Sequence, residues 1–173
     1  GTYKLKSSQI FYESEHCIGT VNLKPIVPGH VLIVSKRNVP RIADLSPSEV
    51  QDIFACVHEI TPILERHYVA SGMNIAIQDG VDAGQSVPHV HIHMLPRVRG
   101  DFAHSDDIYP ELDRQNLHEV YNAESGVTDP LPGKAAQKAD FSDNRVARTD
   151  AVMAEEASRL ATLFPSKAPR HLS

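Results

Sequence analysis

Apolar and polar positions alternate over residues 2–22. Period-two alternation places strands near Gln9–Tyr12 and His16–Asn22. Pro25-Ile26-Val27-Pro28-Gly29 is rich in the residues that punctuate a chain and reads as a turn. His30–Ser35, full of Val and Ile, reads as a buried strand. At Ser46-Pro47-Ser48-Glu49 the pattern changes to that of a helix start: Ser46 as N-cap, Pro47 at the first helical position, Glu49 closing a capping box. Val50, Ile53, Phe54, Val57 and Ile60 follow helical spacing, with Phe54 and Tyr68 expected in the core. Pro62 interrupts the continuation toward Tyr68 and predicts a kink, or two helices, because proline removes a ladder hydrogen bond. Asn74–Gln78 and His89–Leu95 read as strands joined by a loop containing Gly80 and Gly84.

Beyond Arg97 the periodicity fades. Residues 103–148 are polar, with scattered Pro, Gly and Asp, and are long for a loop in a compact domain; mobility is the expectation. Asp150–Phe164 recovers helical spacing through Met153, Ala157, Leu160 and Phe164. The order β-β-β-α-β-β predicts a mostly antiparallel α+β domain. The expected organisation is a domain over 1–112, a mobile polar loop over 113–148, and a C-terminal helix and tail over 149–173 packing back on the domain.

A chain of 173 residues is long enough to bury a sizeable core. Its 17 basic and 22 acidic residues leave a net charge of −5, which argues against a general nucleic-acid binder. Cys17 and Cys56 stand far apart in sequence with no Cys-x-x-Cys spacing, as expected for buried, reduced thiols of a cytosolic or nuclear protein. There is no run of 18 apolar residues, so no membrane span is expected, and no signal peptide is visible. The chain starts at Gly1 within an apparent strand, which points to a trimmed N-terminus.

The chemistry concentrates in Gln85-Ser86-Val87-Pro88-His89-Val90-His91-Ile92-His93-Met94-Leu95-Pro96-Arg97. Alternation sends His89, His91 and His93 to one face of a strand and Val90, Ile92 and Met94 to the other. A shared metal fits this spacing poorly. At about 3.3 Å rise per residue the outer Cα atoms lie roughly 13 Å apart, whereas zinc needs each nitrogen at about 2.0–2.1 Å. No Asp, Glu or Cys flanks the run to complete a shell. Near pH 7 a mostly neutral imidazole can attack while a neighbour donates a proton, so nucleophilic or acid–base chemistry on an anion fits better.

His89-Val90-His91-Ile92-His93-Met94-Leu95 resembles the His-φ-His-φ-His-φ-φ motif of the histidine triad (HIT) superfamily. Val21-Asn22-Leu23-Lys24-Pro25-Ile26-Val27-Pro28-Gly29-His30-Val31-Leu32 and Gln78-Asp79-Gly80-Val81-Asp82-Ala83-Gly84-Gln85-Ser86 are similar to its fragile histidine triad branch, the dinucleoside polyphosphate hydrolases. Gly100-Asp101-Phe102 and Ile108-Tyr109 also resemble that branch. The resemblance covers about residues 1–112, with a weaker echo in the last helix.

The resemblance implies a HIT-like fold, a five-stranded mostly antiparallel sheet with one long and one C-terminal helix, paired as a homodimer. It implies asymmetric hydrolysis of diadenosine tri- or tetraphosphate to AMP plus ADP or ATP. His91 matches the nucleophile that forms a nucleotidyl–histidine intermediate. His89 and His93 match phosphate contacts or proton partners, and His30 a partner of the first motif histidine or a structural core residue. Gln78 and Gln85 match glutamines that hold phosphate oxygens or the leaving group; loop-capping amides are the alternative. Ser86 either assists a phosphate or bonds the turn. Asn22 matches a residue that holds the nucleoside, where a lone Asn would otherwise be a turn residue. Gly80 and Gly84 let the backbone approach phosphates or simply form turns. The branch carries an aromatic residue just upstream of Gly1, so Tyr3 and Leu5 are the remaining base-pocket residues.

No protein-bound metal or cofactor is expected; magnesium or manganese accompanying the polyphosphate is. Purine nucleoside phosphoramidase activity and a nucleotide-binding signalling module with slow turnover are the alternatives. A DNA-end deadenylating role lacks zinc-finger spacing and a basic tract.

Overall fold

The computed structural model describes residues 5–113 and 145–169. Its centre is a five-stranded antiparallel sheet in the order β1-β2-β3-β5-β4. The strands are β1 (Ile10–Glu13), β2 (Cys17–Val21), β3 (Val31–Ser35), β4 (Gly72–Ala76) and β5 (His91–Arg97). Helix α1 (Pro47–Tyr68) links β3 to β4, a short α2 (Ile108–Asp113) follows β5, and α3 (Asp150–Ala161) packs on β1. The Ser46–Glu49 capping box forms as read from the sequence, with the Ser46 hydroxyl accepting from the Glu49 amide at 3.3 Å.

The sheet has two covered faces. On one, Val31, Ile33, Ile92 and Met94 join α1 residues Ile53, Val57, Ile60 and Leu64 and α3 residues Met153, Ala157 and Leu160 in the main core. On the other, Leu95 packs with Val27, Ile108 and Leu112 in a smaller cluster. Arg97 closes the turn after β5: it pairs with Asp101 at 2.6 Å and lies 4.9 Å over the Phe102 ring.

Several sequence expectations are corrected. Of the two alternatives at Pro62, a division into two helices is overturned: α1 runs as one helix of 22 residues. Pro62 and His58 are both on the exposed side, so the carbonyl deprived of its partner can face water, and Ile60 and Leu64 anchor the helix on either side of the proline. Phe54 is not core but 48% exposed, because the stripe that α1 buries runs through Ile53, Cys56, Val57, Ile60 and Leu64. The histidine strand starts at His91, not His89, and Gln78 lies past the end of β4 rather than in it. Tyr68 packs against the main core as expected. Of the stretch 103–148 expected to be mobile, residues 105–113 instead form a turn and α2, with Ile108 and Leu112 buried in the smaller cluster; the polar loop expected over 113–148 lies, apart from residues 113 and 145–148, outside the described residues.

Candidate active site

The site is built on the β5 face opposite α1. Antiparallel partners share a face: Leu32 opposes His93, Val34 opposes His91, and Ala76 opposes His93 on the other side. His91 and His93 are therefore flanked by apolar walls and are 6% and 1% exposed. His89 stands apart, before the strand begins, with Nε2 donating to the Ser35 carbonyl at 2.6 Å. The row of three imidazoles is a buried pair and an outlying third.

The backbone sets the tautomers. His91 Nδ1 faces the His89 carbonyl at 2.7 Å. A carbonyl can only accept, so Nδ1 carries the proton and Nε2 the lone pair. His30 Nδ1 accepts from the Ile26 amide at 3.2 Å, so its proton sits on Nε2 and is donated to His93 Nδ1, 3.0 Å away. Asn22 Nδ2 packs beside that bond, 3.4 Å from the same His30 nitrogen. With Nδ1 accepting, His93 keeps its proton on Nε2, a buried atom with no hydrogen-bond partner among the described residues. An orphan donor of this kind costs free energy unless something is bound to it.

Burial holds these rings neutral. It pushes His30 down to about 3, with the charges of Arg145, Arg148 and His91 adding to the effect. Burial lowers His91, against the His89 carbonyl that favours the cation, and lowers His93, where His91 and His30 add to it. His89 is lowered by burial and partly restored by the Ser35 carbonyl.

Asn22 is fully buried at the end of β2, and its Oδ1 accepts from the Lys24 amide at 2.9 Å. Gln78 and Gln85 lie on the loop between β4 and β5. Gln78 lies two residues beyond Ala76, where the pairing of β4 with His93 of β5 ends. Gln85 stitches the loop: Oε1 accepts from the Gly80 amide at 3.0 Å and Nε2 donates to the Pro40 carbonyl at 2.8 Å, leaving one amide hydrogen for other use. Gly84 has φ +87°, and a Cβ there would come within 2.6 Å of the Gln78 amide nitrogen. Ser86 is buried beside this loop. Leu5 is half-buried ahead of the short turn Ser7–Gln9, and Tyr3 lies outside the described residues.

Sequence reasoning missed Leu32 and Val34 as site walls, although the alternation of His30–Ser35 could have found them. It also missed Arg145 and Arg148, which carry no periodic signal. Among the described residues, the metal-ligating side chains that converge are Cys17, Asp52 and Cys56, on the α1 face rather than at the histidines. There the Ser14 hydroxyl already donates to Asp52 at 2.6 Å and contacts Cys56 Sγ at 3.3 Å.

Comparison with known proteins matches residues 4–100 to the HIT domain. The chain is 43% identical over 162 residues to the asymmetrical bis(5'-nucleosyl)-tetraphosphatase of Schizosaccharomyces pombe, covering 91% of this chain and 89% of the relative. It is 39% identical over 164 residues to the bifunctional bis(5'-adenosyl)-triphosphatase/adenylylsulfatase FHIT of Arabidopsis thaliana, covering 95% and 82%. The Caenorhabditis elegans NitFhit crystal structure superposes with a TM-score of 0.66 at 34% identity, over 93% of this chain and 28% of that one. The sheet topology, the paired histidines and these likenesses agree: the chain belongs to the HIT domain family, in its fragile histidine triad branch.

Proposed function

We propose that the protein hydrolyses diadenosine tri- or tetraphosphate asymmetrically, giving AMP plus ADP or ATP. The observation that carries this reading is the set of tautomers. His91 carries an Nε2 lone pair, and His93, whose ring centroid lies 5.0 Å away, carries an Nε2–H, so one ring can attack while its neighbour donates. His91 Nε2 attacks the α-phosphorus; an N–P bond forms as the P–O bond to the departing ADP or ATP breaks. The ring becomes cationic, and its Nδ1–H bond to the His89 carbonyl strengthens as charge develops. His93 Nε2–H then bonds a phosphoryl oxygen. Water then breaks the N–P bond, releases AMP and restores neutral His91. The depressed basicity of His91 keeps the lone pair available at neutral pH.

A divalent cation, magnesium or manganese, arrives on the polyphosphate; what supports this is that, among the described residues, the metal-ligating side chains that converge lie on the α1 face and not at the histidines. The protein acts as a homodimer. Strand β4 is at the edge of the sheet, Ile75 on it is 45% exposed, and Phe54 on the same face of the sheet is also half exposed. Free, buried Cys17 and Cys56 support a cytoplasmic and nuclear location.

Chromatography of diadenosine triphosphate and tetraphosphate after incubation tests the reading. The intact protein should release AMP, and His91→Ala should lose about 10³-fold or more of that rate while still binding dinucleotide. Binding without AMP from either protein would overturn the hydrolase.

A further inference from the structure

The segment Asn22–His30 supplies both the nucleoside-side residue Asn22 and the histidine that bonds His93. It folds back on itself, with the Asn22 amide donating to the His30 carbonyl at 3.3 Å. Chain far downstream grips it from outside. Arg148 directs both Nε, at 3.1 Å, and Nη2 to the Asn22 carbonyl, and its own amide donates to the Leu23 carbonyl at 3.0 Å. Its third nitrogen, Nη1, pairs with Glu156 on α3. Glu156 also accepts from the Tyr68 hydroxyl at 3.2 Å. The Tyr68 ring lies flush against Gly29, where a Cβ would collide with three of its atoms. Glu156 thus ties together the groups that hold both ends of the segment.

The grip is buried: Glu156 is 8% exposed, and the Arg148 side chain only 17%. A buried carboxylate and guanidinium are retained at a cost unless every bond is made. Here the fork of the guanidinium is divided between one carboxylate and one backbone carbonyl, a task a lysine point charge cannot reproduce. The carbonyl it holds belongs to Asn22, whose side chain packs on the His30–His93 bond.

We propose that Arg148, fixed by Glu156 and Tyr68, is a positioning residue for the reaction: it sets the Asn22–His30 segment, and through it the nucleoside and the His93 donor, against His91. This rests on the hydrolase reading above. Arg148 needs no contact with the substrate for this role.

The test compares wild type, Arg148→Ala, Arg148→Lys and Glu156→Gln. Positioning predicts a KM for the dinucleotide raised about tenfold in Arg148→Ala, a smaller loss of kcat, and only partial rescue by lysine, since small misplacements remote from the chemistry are costly. Nitrogen-15 spectra should show the His30 and His93 ring signals displaced in Arg148→Ala while amides of β1 and α1 stay in place. Unchanged KM, kcat and ring signals in a folded Arg148→Ala would overturn the proposal. If that variant fails to fold, Arg148→Lys and Glu156→Gln decide: a KM at least threefold higher supports it, and wild-type values with wild-type ring signals overturn it. If wild type releases no AMP, the hydrolase reading fails by itself, and the ring signals alone decide whether Arg148 sets the histidines.

Discussion

Two buried polar clusters lie on opposite faces of one sheet, and they are finished differently. On the α1 side, Ser14, Asp52, Cys17 and Cys56 close on one another. The Ser14 hydroxyl donates to Asp52 and accepts from the Cys17 amide at 3.0 Å, and Asp52 also accepts from the His16 amide at 2.9 Å. On the other side, a chain of bonds runs from the Ile26 amide through His30 to His93 and stops at a buried nitrogen without a partner among the described residues. A cluster that serves the fold uses up its donors. A cluster that serves a ligand leaves one over, and carries the cost until the ligand comes.

The largest expected difference between them is in acid. Asp52 is pushed up by burial, but bonds from Ser14, the His16 amide and Cys17 outweigh this and leave it below the ordinary carboxylate range. The stability it contributes is present above its unfolded value and is lost only below about pH 4. The histidines are lowered instead, His30 to about 3. Above pH 6.5 folded and unfolded rings are both neutral and contribute nothing. Below it the unfolded chain binds protons that the folded site refuses, so stability falls as pH drops from 6.5 toward the depressed folded values. The slope is about 1.4 kcal/mol per pH unit for each histidine that stays neutral. Urea unfolding between pH 7.5 and 4.5 should therefore show several kcal/mol lost before the carboxylates titrate. A flat profile over that range would mean that the open cluster is not held neutral.

How much of this contrast was legible in the sequence follows from what patterns encode. The alternation through His91, Ile92, His93 and Met94 marked two faces, and the faces are as read. It placed His89 in the same row because periodicity cannot see where a strand starts; the Val90 amide bonds the Val39 carbonyl, and His89 turns to the Ser35 backbone. The helical spacing through Val50, Ile53, Phe54, Val57 and Ile60 found Ile53, Val57 and Ile60 of the buried stripe but included Phe54 and left out Cys56, an edge of the stripe that only the docked sheet determines. Cys17 and Cys56 gave no sign of meeting, since a pair contributed by a strand and a helix has no fixed spacing. Arg148 was invisible for the same reason: its meaning lies in a carbonyl 126 residues away.

Removing the open donor sharpens the comparison next. In His93→Asn the side-chain oxygen can stand where Nδ1 stood and keep the His30 proton satisfied, while the far N–H is lost. kcat should fall about 10²-fold, with the melting temperature nearly unchanged. Equal losses of activity and stability would make the histidine chain structural. The matching change in the closed cluster is Ser14→Ala, which strips a donor from Asp52 and an acceptor from the Cys17 amide. It should cost about 1–3 kcal/mol and leave kcat and KM within twofold. A loss of turnover beyond that, in folded protein, would join the clusters functionally and end the contrast.

The smallest effect separates stability from activity by a route that touches neither cluster. Helix α1 carries Asp52 and Cys56 and is capped by Val69, whose φ of +52° puts a β-branched residue in the left-handed region. Val69 is 83% exposed, so its side chain gains little from packing to offset that strain. Glycine adopts this conformation without steric cost, and Val69→Gly should stabilise the protein by about 1 kcal/mol, read as a raised urea midpoint at unchanged slope. The site is remote from Ser14 in contacts, so the gain should add to the loss in Ser14→Ala and restore much of that variant's stability. Added to His93→Asn it should raise the urea midpoint just as far and return none of the lost turnover. Recovery of turnover by a helix cap would mean that His93→Asn was inactive because it was loose, and the orphan nitrogen would lose its claim on the chemistry.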